Sequence, residues 1–193
     1  MKRKVLVVLG HSCVDSLCAA LATAYRQAAE QAGHEVRWLA VGQLQFDPLL
    51  HHGYGQPQEL EPDLLAAQQA ILWADHLLLV YPTWWGGMPA LLKGFIDRVF
   101  LPGFAFKYRT GSSLWDKLLS GRSAQLLVTM DSPPWYYRFI NHMPGHHQMK
   151  RTILEFCGIR PVQIHSFGPV RGSTPEQRQR WLSKVSKLAA ALR

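Results

Sequence analysis

Two adjacent indoles beside two glycines, in the run Tyr81-Pro82-Thr83-Trp84-Trp85-Gly86-Gly87-Met88-Pro89, are the residues of this chain best suited to hold a flat ligand. The flanking prolines and glycines keep the run out of the regular structure that would bury large aromatic side chains. Gly86 and Gly87 would let a ring approach the main chain, whose N–H groups could donate to a ring carbonyl. The competing reading has both tryptophans filling a gap beneath a sheet. That is the usual fate of one tryptophan, but less often of two beside paired glycines.

A second run, Gly10-His11-Ser12-Cys13-Val14-Asp15-Ser16-Leu17, supplies hydroxyls, an imidazole and the free amides of a helix start, which together suit a phosphate. It lacks the glycine spacing of a dinucleotide fingerprint and the Gly-Lys-Ser/Thr of a phosphate-binding P-loop, which disfavours a nucleoside triphosphate. Ser16 or Asp15 could equally do no more than cap the helix. The run also lies between strand and helix as a nucleophile elbow does, so a serine hydrolase acting through Ser12 is a rival. Val14 counts against it, because the elbow needs glycine there for tight packing. Residues 131–145, with Pro133, Pro134, Pro144 and several aromatics, form another ligand-sized loop.

The elements that must position these loops alternate between strands and helices. Val5-Leu6-Val7-Val8-Leu9 is a continuous apolar run, as in a strand covered on both faces. A helical pattern over residues 16–32 follows, closed by Gly33 in a left-handed cap, and residues 35–40 give a second strand nearer a sheet edge. Residues 41–61 read as a surface excursion. Pro62 opens a helix to about Trp73, residues 75–80 form the third strand, and a helix runs from Ala90 to about Phe100. A short helix is expected near residues 114–119, a fourth strand over 123–130, a helix over 146–156, a fifth strand over 161–167, and a last helix capped by Thr174-Pro175-Glu176. This order predicts a single α/β domain over residues 1–193. It would be a doubly wound parallel sheet whose ligand crevice lies at the carboxyl ends of the strands.

With 193 residues, 48% of them hydrophobic, the chain can build one full core. Lys and Arg number 21 against 13 Asp and Glu, a formal +8, and the surplus gathers after position 149. There the basic residues are spaced around apolar ones, as on a solvated helix face, which disfavours nucleic acid. Cys13, Cys18 and Cys157 have no paired ligand spacing, so neither a disulfide framework nor a zinc site is expected, and a reducing cytoplasm fits. His51-His52 and His146-His147 would splay their rings apart, so no metal site is expected there. The apolar run behind Lys2-Arg3-Lys4 stops at Gly10, too short for a signal peptide core or a membrane span.

Residues 82–90 together with Leu92-Lys93-Gly94-Phe95-Ile96-Asp97-Arg98-Val99 and Pro102-Gly103-Phe104-Ala105-Phe106 resemble the signature of the flavodoxin-like NAD(P)H:quinone oxidoreductases. That group includes the modulator-of-drug-activity flavoproteins and the ancillary subunits of potassium efflux systems. His11, Phe46-Asp47-Pro48, Trp73-Ala74-Asp75-His76 and Phe156-Cys157-Gly158 agree with it. The resemblance implies a five-stranded sheet of order 2-1-3-4-5 with helices on both faces, FAD or alternatively FMN, NAD(P)H as donor, and a planar quinone-like acceptor. It implies a homodimer whose site is completed at the subunit interface, or else a regulatory flavoprotein on a membrane transporter. Carried over by position, His11, Ser12, Ser16, Leu17 and Cys18 would hold phosphates, Pro82, Thr83, Trp84 and Trp85 would line the ring, and Thr129, Met130, Asp131 and Ser132 would occupy its other edge. The chain departs from the family after the fourth strand, where Asp131-Ser132-Pro133-Pro134 replaces a glycine pair. Tyr136 and His146 are the candidate proton donors there, and Cys18 stands where the family often has asparagine or alanine.

Overall fold

A computed structural model describes residues 2–192. Strand β1, Lys4–Leu9, is buried along five of its six residues because its valines and leucines face helices on both sides. Helix α1, Leu17–Gln31, begins at Ser16, whose hydroxyl oxygen accepts the Ala19 N–H at 3.2 Å. Gly33 follows the helix at φ +85°, a conformation that costs a glycine nothing. Strand β2, Glu35–Ala40, leads through a single 3-10 turn into the excursion, and helix α2, Pro62–Trp73, returns the chain to strand β3, His76–Pro82. Helix α3, Ala90–Val99, follows the doubled tryptophan.

Strands β4, Phe106–Tyr108, and β5, Trp115–Lys117, form a small antiparallel ribbon apart from the main sheet. The helix expected near residues 114–119 is absent. Trp115 instead stacks on Phe156 at 4.4 Å and donates its indole N–H to the Phe156 carbonyl at 2.9 Å, a distant contact that holds the segment extended. Strand β6, Ser123–Thr129, is followed by helix α4, Pro134–Phe139, inside a segment expected to be irregular. The single helix expected over 146–156 is a short α5, Pro144–His147, continued by a π-helical turn, Gln148–Leu154. Strand β7, Val162–Phe167, and helix α6, Pro175–Ala190, complete the fold.

The main sheet is parallel in the order β2-β1-β3-β6-β7, which is the expected 2-1-3-4-5 once the ribbon strands are set aside. Side-chain alternation divides the core. Leu6, Val8, Leu77 and Leu79 face α2 and α3, while Val5, Val7, Leu78 and Val80 face α1 and α6. Arg98 of α3 is fully buried and ties down the excursion. Its guanidinium donates to the Asp47 carbonyl at 2.6 Å, to the Glu59 carbonyl at 2.7 Å and to the Glu61 carboxylate at 2.9 Å.

Candidate functional site

The three loops leaving β1, β3 and β6 meet at the carboxyl edge of the sheet, where parallel strands leave a crevice between diverging crossovers. In the first loop, His11 Nδ1 accepts the Cys13 N–H at 2.8 Å, so the neutral ring carries its hydrogen on Nε2. Partial burial holds the His11 pKa below its ordinary value, although the Cys13 N–H bond opposes that shift. The ring meets Trp84 edge-on at 5.6 Å. Ser16 spends its hydroxyl on the loop, donating to the Cys13 carbonyl at 3.0 Å and accepting from Ala19. The Leu17 and Cys18 N–H groups keep no partner among the described residues, which leaves a helix start open to an anion. Cys18 Sγ lies 3.2 Å from Thr129 Oγ1, and burial pushes its thiol up to about 11. It is a protonated packing group.

The second loop is a two-residue hairpin. Trp84 and Gly87 exchange backbone hydrogen bonds of 2.9 and 3.0 Å, with Trp85 at φ 51° and Gly86 at φ 78° between them. Both central residues are left-handed, which favours Asn, Asp or Gly, so a tryptophan at the first of them is held at a cost of about 1 kcal/mol. The side chain gains no burial in return: Trp85 is fully exposed and Trp84 about half. The Trp85 and Gly86 N–H groups have no acceptor among the described residues. Thr83 donates to the Thr129 carbonyl at 2.7 Å, which fixes the loop to β6.

The third loop is held from within. Asp131 Oδ1 accepts the Arg171 N–H at 2.9 Å, and the Met130 carbonyl accepts the Val170 N–H at 3.0 Å. Tyr137 is buried. Its hydroxyl donates to the Gly86 carbonyl at 2.8 Å and accepts the Gly145 N–H at 2.9 Å, while that same N–H also reaches Gly86 at 3.1 Å. The clasp leaves no room at Gly145, where a Cβ would stand 2.8 Å from the Gly86 oxygen and 3.0 Å from Gly87 Cα.

A cavity of about 190 Å³ lies where the loops converge. His11, Ser16, Leu17 and Cys18 form one end, Pro82, Thr83 and Trp84 one wall, and Thr129, Met130 and Asp131 the other. Ser12, Trp85 and Ser132 do not line it. Trp85 borders an open cleft of about 610 Å³ with Gly86, Gly87, Pro144, Gly145 and Arg151. Tyr136 points into solvent against Trp135, and His146 is buried with Nε2 2.9 Å from Ser166 Oγ, so neither candidate proton donor lines cavity or cleft. Burial brings the His146 pKa down to about 4, aided by neighbouring His147. Sequence reasoning missed Tyr137 and Val170. Adjacent Tyr136 and Tyr137 look alike in sequence, and only the helix phase set by Pro133 and Pro134 separates them. The donor set fits a flavin: unpaired amides and an imidazole N–H at the phosphate end of the cavity, the half-exposed Trp84 indole on its wall, and the unpaired Trp85 and Gly86 amides on the adjoining cleft.

A family model described as the flavodoxin-like fold matches residues 3–189, and the chain belongs to that family. Among relatives, an uncharacterised NAD(P)H oxidoreductase of Haemophilus influenzae is 32% identical over 170 residues, covering 86% of this chain and 83% of the relative. NAD(P)H dehydrogenase (quinone) 1 of Rattus norvegicus is 27% identical over 198 residues, covering 86% of this chain and 70% of its own. The crystal structure of Smu.1420 from Streptococcus mutans superposes with a TM-score of 0.83 at 29% identity, over 98% of this chain and all of the other.

Proposed function

We propose that the protein is a flavin-dependent NAD(P)H oxidoreductase of the NAD(P)H dehydrogenase (quinone) type, moving two electrons as hydride from NAD(P)H to a quinone-like acceptor. The observation that carries this reading is an anion-seeking helix start and the Trp84 wall in one cavity, with the unpaired Trp85 and Gly86 amides and the exposed Trp85 indole on the cleft beside it. When bound, the flavin supplies acceptance and release of hydride. The chain supplies the rest. The Leu17 and Cys18 amides and His11 Nε2–H hold phosphate, with Ser12 and Ser16 beside them. Pro82, Thr83, Trp84 and Trp85 exclude water along the ring, and the Trp85 and Gly86 amides are donors for negative charge that develops there. Thr129, Met130, Asp131 and Ser132 bound the far edge. Tyr136 and His146 line neither hollow, so the reading leaves proton delivery to water.

FAD is the cofactor proposed, with FMN the alternative. A groove of about 710 Å³ between α1 and α6 shares Ser16 and Leu17 with the phosphate end and continues past Val14 to Arg178 and Leu182, room of the kind an adenylate needs. The reading includes a homodimer, since a second copy would cover the indole of Trp85. It also includes a cytoplasmic setting, which the three free thiols suit. Among the described residues no helix is long and apolar enough to cross a membrane. The hydrolase reading has no support in the geometry, because the neighbouring His11 already spends Nδ1 on the Cys13 N–H. The test is spectroscopic: purified protein, reconstituted with FAD or FMN, should show flavin absorbance and oxidise NADH or NADPH with a soluble quinone. Failure to bind either flavin defeats the reading, and the mass of the released cofactor separates FAD from FMN.

A further inference from the structure

Helix α4 is built inside out. Of its six residues only Tyr137 is buried, whereas Trp135 is 61% exposed, Tyr136 41% and Phe139 63%, and Ile140 just beyond is 55% exposed. An ordinary surface helix turns its apolar stripe inward, so four large apolar residues facing water on one turn and a half mark a contact surface. The knob is rigid. Pro133 and Pro134 fix its start, Met143 at φ 51° turns the chain behind it, and the Tyr137 hydroxyl bolts it to Gly86. Its aromatic residues border neither the flavin crevice nor the cleft beside Trp85.

Charge says what covers it. Arg138 stands among these residues, and between Asp131 and Glu155 the chain has no aspartate or glutamate. The Arg138 guanidinium lies 5.3 Å from the Phe139 ring, so cation and aromatic are presented together. A second copy seated on α4 itself would set Arg138 against Arg138, whereas the dimer proposed above is seated on Trp85. A lipid surface with anionic headgroups offers the opposite charge, with a headgroup layer that suits Trp and Tyr and an acyl boundary that suits Phe and Ile. We propose that α4 docks the protein on anionic bilayer surfaces, seating Trp135, Phe139 and Ile140 in the headgroup region with Arg138 on the phosphates. Because α4 is bonded to Gly86, such docking would hold the platform loop close to the bilayer. That last consequence rests on the proposed function, where an apolar acceptor would reach the cleft from the membrane.

Co-sedimentation with lipid vesicles tests the docking without turnover. Full-length flavin-loaded protein should bind mixed phosphatidylglycerol–phosphatidylcholine vesicles and be released by high salt, while leaving pure phosphatidylcholine vesicles largely unbound. The exposed double variant Trp135→Ser/Phe139→Ser should bind about tenfold or more weakly, and Arg138→Glu several-fold more weakly. Unchanged far-ultraviolet dichroism and flavin content in both variants show that folding is intact. No binding by the unaltered protein, or equal binding by the double variant, overturns the proposal. A double variant that falls to a smaller oligomer, while neither protein sediments with vesicles, assigns the face to a second copy instead. None of these readouts depends on quinone reduction, so failure of the docking and failure of the enzymatic reading are separable.

Discussion

The platform loop of residues 81–89 and the wall of residues 130–147 face the same crevice and are both rich in aromatics, proline and glycine, but they use them in opposite ways. The platform leaves the Trp85 and Gly86 amides unpaired and its indoles in water. The wall satisfies its polar groups internally, through Asp131, Tyr137 and Gly145, and turns its apolar surface away from the crevice. A region made to receive a guest keeps donors free and accepts strain, while a region made to hold shape consumes its donors.

That contrast can be broken by experiment, beginning with the wall. His146 is buried there as the neutral ring, and His76 is buried at the far edge of the sheet, each with its pKa brought down to about 4 by burial. Each depressed histidine contributes stability that is present above pH 6.5 and lost as pH falls toward 4. The loss approaches about 3 kcal/mol per ring. Denaturant titration across that range should therefore show a steep fall in unfolding free energy, and His146→Gln should remove part of the slope. A flat profile would mean that the wall opens to water.

Gly145→Ala forces a methyl group against the Gly86 oxygen and should cost about 2 kcal/mol in thermal or chemical unfolding, together with flavin affinity, because the platform is displaced. Trp84→Ala should do the reverse, weakening flavin binding by about tenfold or more with little change in stability, since the indole is half exposed. Tyr137→Phe removes one donor from Gly86 and one acceptor from Gly145, a loss of about 1 kcal/mol, softened because the Gly145 N–H still reaches Gly86. The smallest effect has the opposite sign. Trp85→Asn should stabilise the protein by about 0.5–1 kcal/mol, because asparagine accepts the left-handed turn, while flavin is held less well. If Trp85→Asn destabilised the chain, the indole would be holding the fold and the contrast would fail.

Much of this architecture is legible in sequence because it rests on local signals. The apolar run of β1 reads as a strand covered on both faces, those of β3 and β6 read as strands, and Ser16, Gly33, Pro62 and Thr174 mark element ends by their own chemistry. The ribbon was not legible, because Trp115 is held extended by Phe156, about forty residues away. The wall was half legible. Its departure from the family pattern was visible at Asp131-Ser132-Pro133-Pro134, but the choice of Tyr137 over Tyr136 as the inward residue depends on helix phase. His146 reads as a candidate proton donor until β7 supplies Ser166 as its partner.

The Arg98 guanidinium has a consequence for how this chain can vary. Its acceptors lie at Asp47, Glu59 and Glu61, so both feet of the excursion are clamped while residues 50–57 pass outside the clamp. Residues 51–57 are exposed, with Tyr54 bordering a hollow beside Lys93, Asp97, Gln148 and Thr152. Lengthening a clamped surface segment costs only about 0.6 kcal/mol for each doubling. Past Tyr54, this is a point at which the chain could take up added sequence, a peptide tag or a recognition loop, while Arg98 holds both feet in place.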